Sequence, residues 1–126
     1  MNDHDHSTPV TRIDEDREGP LEIAGRTHLT ATVTGTVVVP AGTELRLSGQ
    51  VNGEVVVRPG GDLVLLGTVK GAVINEGGAV GIFGFVGRVE DRGDKESWVS
   101  RGAIVGGVRS PRPMKLSRFL ALNAGG

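Results

Sequence analysis

Short bursts of alternating apolar and polar residues fill the middle of this chain, and they recur at a spacing of 18 residues. Val33-Thr34-Gly35-Thr36-Val37-Val38-Val39 returns as Val51-Asn52-Gly53-Glu54-Val55-Val56-Val57, and again as Val69-Lys70-Gly71-Ala72-Val73-Ile74-Asn75. A second phrase keeps step with the first: Leu45-Arg46-Leu47-Ser48-Gly49, Leu63-Val64-Leu65-Leu66-Gly67, then Val80-Gly81-Ile82-Phe83-Gly84. Alternation with period two predicts strands a few residues long, with one face in and one face out. Between the phrases lie Pro40-Ala41-Gly42, Pro59-Gly60-Gly61 and Glu76-Gly77-Gly78, which is turn chemistry at matching positions.

A unit repeated at a fixed short period is stacked on itself. Eighteen residues make one circuit of a three-sided coil, and successive coils ride about 4.8 Å apart, as neighbouring strands do. The expected fold is all-β, a short single-domain parallel β-solenoid with a short C-terminal helix. Stacking the copies predicts the core columns Val33/Val51/Val69, Val37/Val55/Val73, Val39/Val57/Asn75, Leu45/Leu63/Val80 and Leu47/Leu65/Ile82. Gly35, Gly53 and Gly71 recur at a corner, where a side chain would need positive φ or would crowd the next coil.

The pattern also sets boundaries. Residues 1–18 are polar, acidic and poor in apolar side chains, so they read as a disordered tail. Residues 19–108 read as the solenoid, with Leu21-Glu22-Ile23-Ala24-Gly25 as an early copy of the Leu-x-Leu-x-Gly phrase and Trp98–Gly106 as a last coil. Residues 109–126 form a basic C-terminal segment, and Leu116, Phe119 and Leu120 at helical spacing predict a short amphipathic helix within Met114–Asn123.

Alternation fixes what points outwards too. Val38, Val56 and Ile74 stack on one outer face, and Val64, Leu66 and Phe83 on another, where a side facing only water would carry polar residues. Two such stripes call for covers. The C-terminal segment, with Trp98, Leu116, Phe119, Leu120 and Leu122, offers one; another chain offers the other. A solenoid must also cap its open ends or assemble through them. Phe83, Phe85 and Val89, near one end, are the residues expected to mediate assembly.

Composition sharpens this picture. Gly is 21 of 126 residues and aromatics only 3%, so Val, Leu and Ile must fill the interior. The net charge of −1 hides an asymmetry: residues 1–18 carry six acids against Arg12 and Arg17, while residues 97–126 hold five basic residues and no acid. Such polarity suits head-to-tail contact or an anionic partner. Arg109, Arg112, Lys115 and Arg118, with Phe119, would support weak contact with an anionic membrane. Nucleic acid is not expected, because the patch is sparse and lacks interleaved aromatics. With no Cys, no basic-then-apolar leader and no membrane-spanning run, the expectation is a cytoplasmic protein, at most associated with a membrane surface.

Catalytic chemistry finds little footing. His4-x-His6 lies in the acidic tail, and His28 has no sequence-adjacent partner. Left-handed hexapeptide acyltransferases share the 18-residue coil, but they need a histidine base on a coil loop, and Thr36–Val89 contains none. No Ser is expected to pair with a His, and no P-loop is present. The chain therefore reads as a non-enzyme, with no cofactor or metal expected.

The rhythm of Gly49-Gln50-Val51-Asn52-Gly53 and Gly67-Thr68-Val69-Lys70-Gly71, turns such as Pro59-Gly60-Gly61, and polar flanks resemble the bactofilins, over roughly residues 33–90. These are bacterial cytoskeletal proteins built on a short right-handed β-helix. The resemblance implies end-to-end polymerisation into nucleotide-free filaments that scaffold other proteins, sometimes at a membrane. Bactofilins generally have more coils, and their membrane-binding segment tends to be N-terminal, where this chain is acidic. The function expected is self-assembly as a scaffold, through solenoid ends. The alternative is a monomeric interaction module, an adaptor or immunity-type protein, that covers a partner with one apolar solenoid face.

Overall fold

The computed structural model describes residues 9–124. Each copy of the repeat offers the same apolar positions, so each strand settles in register beside the one before it. Side one stacks β1 (Val10–Ile13), β4 (Arg26–Leu29), β7 (Glu44–Leu47), β10 (Asp62–Leu65), β12 (Ala79–Ile82) and β14 (Trp98–Val99), all parallel. Side two stacks β2 (Arg17–Glu18), β5 (Thr32–Thr34), β8 (Gln50–Val51), the first halves of β11 (Thr68–Asn75) and β13 (Phe85–Asp91), then β15 (Ile104–Val105). Side three stacks β3 (Leu21–Glu22), β6 (Val37–Val39), β9 (Val55–Val57) and the second halves of β11 and β13. The result is a parallel β-solenoid of about five coils.

The core lies inside this triangular tube. Val37, Val55 and Val73 are successive register partners, as are Leu47, Leu65 and Ile82, and all are fully buried. At the expected glycine corner, Gly35 has a φ of 115°, and a Cβ on Gly53 would strike the Gly35 carbonyl of the coil below. Glycine is needed there for two reasons, conformation at one rung and close approach at the next.

Four expectations change in detail. Val10–Ile13 and Arg17–Glu18 are strands of a first coil, so the solenoid begins near residue 10 rather than 19; residues 1–8 lie outside the described residues. Ile13 supplies the buried anchor of that coil, while its remaining strand residues are solvent-facing, which is why the segment looks like a tail. Leu21-Glu22-Ile23 is a copy of the Val-x-Val phrase, since Leu21 pairs with Val37. The true copy of Leu45-Arg46-Leu47 is Thr27-His28-Leu29, disguised because its inward Thr27 is polar and bonds the Ala24 carbonyl at 3.2 Å. Asn75 ends its aliphatic column without a void. Its Oδ1 accepts from the Gly77 and Gly78 amides at 3.0 and 2.7 Å, and its Nδ2 donates to the Lys95 carbonyl at 3.2 Å.

At the C-terminal end the chain reverses, so the solenoid does not run evenly to residue 108. β16 (Val108–Arg109) returns antiparallel to β15, and β17 (Met114–Lys115) lies antiparallel to β14. Helix α1 (Leu116–Ala124) follows and seats Leu116 and Phe119, both 2% exposed, in the core cluster beside Met114. Glu96 Oε1 accepts from the Ser117 amide at 3.3 Å, which caps a donor of the first helical turn from a neighbouring loop.

Candidate functional site

Parallel register turns the outer faces into columns of residues one strand apart. On side one the central column reads Arg12, His28, Arg46, Val64, Gly81, Trp98, Lys115. It is basic toward the first coil and apolar toward the last. Leu66 and Phe83 flank it, and the Phe83 ring lies over Gly81, where a Cβ would stand 3.0 Å from its Cε1. Leu66, Phe83 and Trp98 are 39%, 47% and 44% exposed, with Val64 half-buried among them. The second expected stripe is therefore an open aromatic and aliphatic face, and Trp98 is part of it rather than its cover.

The first expected stripe behaves differently. Val38 and Val56 are half-buried and Ile74 is only 7% exposed. Ile74 sits in register between Val56 and Glu90. Glu90 is gripped by Arg88 at 2.7 Å and Arg92 at 2.9 Å, and Arg58 pairs with Glu76 at 3.7 Å. Long charged side chains lay their methylenes along apolar neighbours, and this ion-paired fringe stands beside Ile74, the most closed rung of the stripe. These guanidiniums also hold the Glu90 carboxyl below its ordinary pKa, chiefly through the Arg92 hydrogen bond and then the Arg88 one.

Besides Ile74, two more residues singled out from the sequence are not available for contact. Val89 faces inward as the next member of the Val37/Val55/Val73 column and is 6% exposed, so it is a core residue and not an assembly residue. Phe119 plugs the end of the tube, so it cannot meet a membrane. Phe85, by contrast, is 53% exposed on side two, beside Ile104. The apolar face of the helix caps the core end and covers neither stripe. Arg109, Arg112, Lys115 and Arg118 are all exposed at that same end.

One serine does meet a histidine: His28 Nε2 lies 2.9 Å from Ser48 Oγ, contrary to expectation. The pair arises because Ser48 stands two residues beyond Arg46, the register partner of His28. It opens on a cleft of about 360 Å³ lined by Arg26, Glu44, Arg46 and Leu66, where Arg26 and Glu44 form an ion pair at 3.3 Å. Nothing in the sequence spacing signalled it, since the two residues meet only across coils. Among the described residues no carboxylate bonds the other imidazole nitrogen, and no group of three or more His, Cys, Asp or Glu is placed to hold a metal ion. The His4-x-His6 pair lies outside the described residues. No described helix is long and apolar enough to cross a membrane.

The ends carry the other recurring feature. Among the described residues, no strand pairs with the outer edges of β1, β2 and β3 at one end, or of β16 and β17 at the other. Each is a row of backbone donors and acceptors open to another chain. No family model, curated protein or solved structure matches this chain.

Proposed function

We propose that this protein is a non-enzymatic structural protein that works by self-association through the ends of its solenoid, as a bactofilin-like scaffold would. The observation that carries this reading is the pair of unpaired strand edges, β1 to β3 below and β16 with β17 above. Parallel ladders gain backbone hydrogen bonds wherever another rung is added, and short solenoids leave a large share of their rungs at an end. Anionic membrane contact, in this reading, falls to the exposed Arg109, Arg112, Lys115 and Arg118 without Phe119. Light scattering and negative-stain microscopy at low micromolar concentration should show filaments or large oligomers. A monodisperse monomer across that range would sink the proposal.

A second reading is favoured by one feature, the open Leu66, Phe83 and Trp98 face. Contiguous exposed apolar surface of that kind marks contact with another protein. On this reading the protein is an interaction module whose partner lies along side one.

A further inference from the structure

Resting on the reading of self-association, we infer that copies join head to tail, the first coil of one seated on the closing strands of the next, with one corner of the prism as the electrostatic key. Strand direction permits this joint. β16 and β17 run opposite to the coil strands, so a following copy in the same orientation lays its β1 antiparallel to β17 and its β2 antiparallel to β16. Antiparallel pairing is at least as favourable as the parallel pairing inside the tube. Side three meets α1 instead of a strand. A head-to-head joint would also pair β1 with β1 antiparallel, so strand geometry alone does not choose between the two.

Charge does choose. The corner between sides one and two in the first coil is Asp14-Glu15-Asp16, all exposed. At the opposite end the same corner carries Arg101, between β14 and β15, and Arg112, between β16 and β17. Arg109 lies in the same outward column as Asp16, which is tied into it by the Thr32 amide donating to Asp16 Oδ1 at 3.0 Å. Stacking head to tail therefore brings three acids onto three arginines. Arg12 falling in the Lys115 column is the one like-charge contact on that side. Head to head, the first coil would face itself with five acids (Asp14, Glu15, Asp16, Glu18 and Glu22) against two arginines. Tail to tail would oppose two closing segments, residues 97–124, that carry five bases and no acid, with Glu96 the acid beside them. The intervening coils are nearly balanced in charge, so the polarity is concentrated where the joints form. A heterologous joint of this kind does not close on itself, so it builds a polar filament.

The sign of the salt dependence separates the cases, because charges about one strand spacing apart are screened within a Debye length of about 8–10 Å at physiological salt. Head-to-tail assembly weakens as sodium chloride rises; head-to-head assembly between acidic ends strengthens. Reversing one end (Asp14→Lys with Glu15→Lys, or Arg101→Glu with Arg112→Glu) should raise the critical concentration about ten-fold or more, taking exposed pairs at up to about 1 kcal/mol each. Both reversals in one chain should restore it. Thermal melts of each variant check that the fold is intact. As a second measurement independent of charge, the cysteine-free chain allows Glu15→Cys and Arg112→Cys proteins to be mixed and oxidised. Head-to-tail stacking gives a disulfide between the two variants and none in either alone. Assembly that rises with salt and ignores the Arg101/Arg112 reversal overturns the inference while leaving self-association standing. No assembly at any salt concentration removes the self-association reading itself.

Discussion

Side three and side one both carry apolar residues on their outer faces, yet the exposed ones, Leu66, Phe83 and Trp98, are on side one. Ile74 is 7% exposed, while Phe83, in a comparable outward position, is 47% exposed. The difference lies in the neighbours that register supplies. Ile74 stands beside a fringe of ion pairs, Arg88–Glu90, Arg92–Glu90 and Arg58–Glu76. Phe83 stands beside Gly81, Val64 and Trp98, which offer no long charged stems to fold over it. An outward apolar residue on a solenoid is thus a contact site only when its column and the next lack long polar neighbours.

Paired substitutions give the strongest test. Ile74→Asp places a carboxylate where little water reaches and should cost about 3–4 kcal/mol of stability. Phe83→Asp should cost under about 1 kcal/mol, because its ring is half in water already, yet it should abolish binding of an apolar dye to side one. Urea unfolding and dye fluorescence on both variants decide the matter. Equal losses of stability would mean that the two stripes are not different in kind.

A smaller effect is expected one residue further along side three. Asn75→Ala removes the acceptor shared by the Gly77 and Gly78 amides and the donor to Lys95, leaving the Gly78 amide buried without its partner. The expected cost is about 2–3 kcal/mol, and Asn75→Asp should not recover it, because it keeps the acceptor but buries a charge beside Asp91 and against the Lys95 carbonyl. If denaturant titration shows Asn75→Ala as stable as the parent, the buried amides have found other partners. Ser97 and Asp91 complete the same lock, with the Ser97 amide donating to Asp91 Oδ2 at 2.8 Å.

These contrasts mark how far the sequence could be read. The columns from Val33 to Ile82 were legible because every inward position except Asn75 is aliphatic, and the register follows directly. The first two coils were not, because their signals are polar: Thr11 and then Thr27 stand in the column that Leu45 and Leu63 fill higher up. Val89 was misplaced because the Gly87 region shifts the rhythm, and β13 pairs with β11 across a register break between Val69 and Ala72. The open Phe83 face was visible as a stripe, but its distinction from the Ile74 stripe was hidden, since that depends on Arg88, Glu90 and Arg92 arriving from the next coil. The His28–Ser48 meeting was invisible for the same reason. One-dimensional periodicity gives what repeats within a coil; the chemistry between coils appears only once the offset of each turn is fixed.

The least disruptive probe of the comparison is acid. Arg92 and Arg88 hold the Glu90 carboxyl below its ordinary pKa in the folded chain. A carboxyl depressed by folding contributes stability that is present above its unfolded pKa and fades as pH falls through the folded value. Protonating Glu90 releases both guanidiniums, so the fringe over Ile74 should loosen as pH falls below the ordinary carboxylate range. Over that range the Ile74 methyl resonances should move toward their solvent-exposed positions, while the Phe83 ring resonances on side one stay put, since Gly81, Val64 and Trp98 beside Phe83 carry no carboxylate. Glu90→Gln should give the loosened Ile74 spectrum already at neutral pH and remove the acid dependence. Titration of Ile74 and Phe83 together in the parent, or an unchanged Ile74 transition in Glu90→Gln, would show that the cover of side three lies elsewhere than in this ion-paired trio.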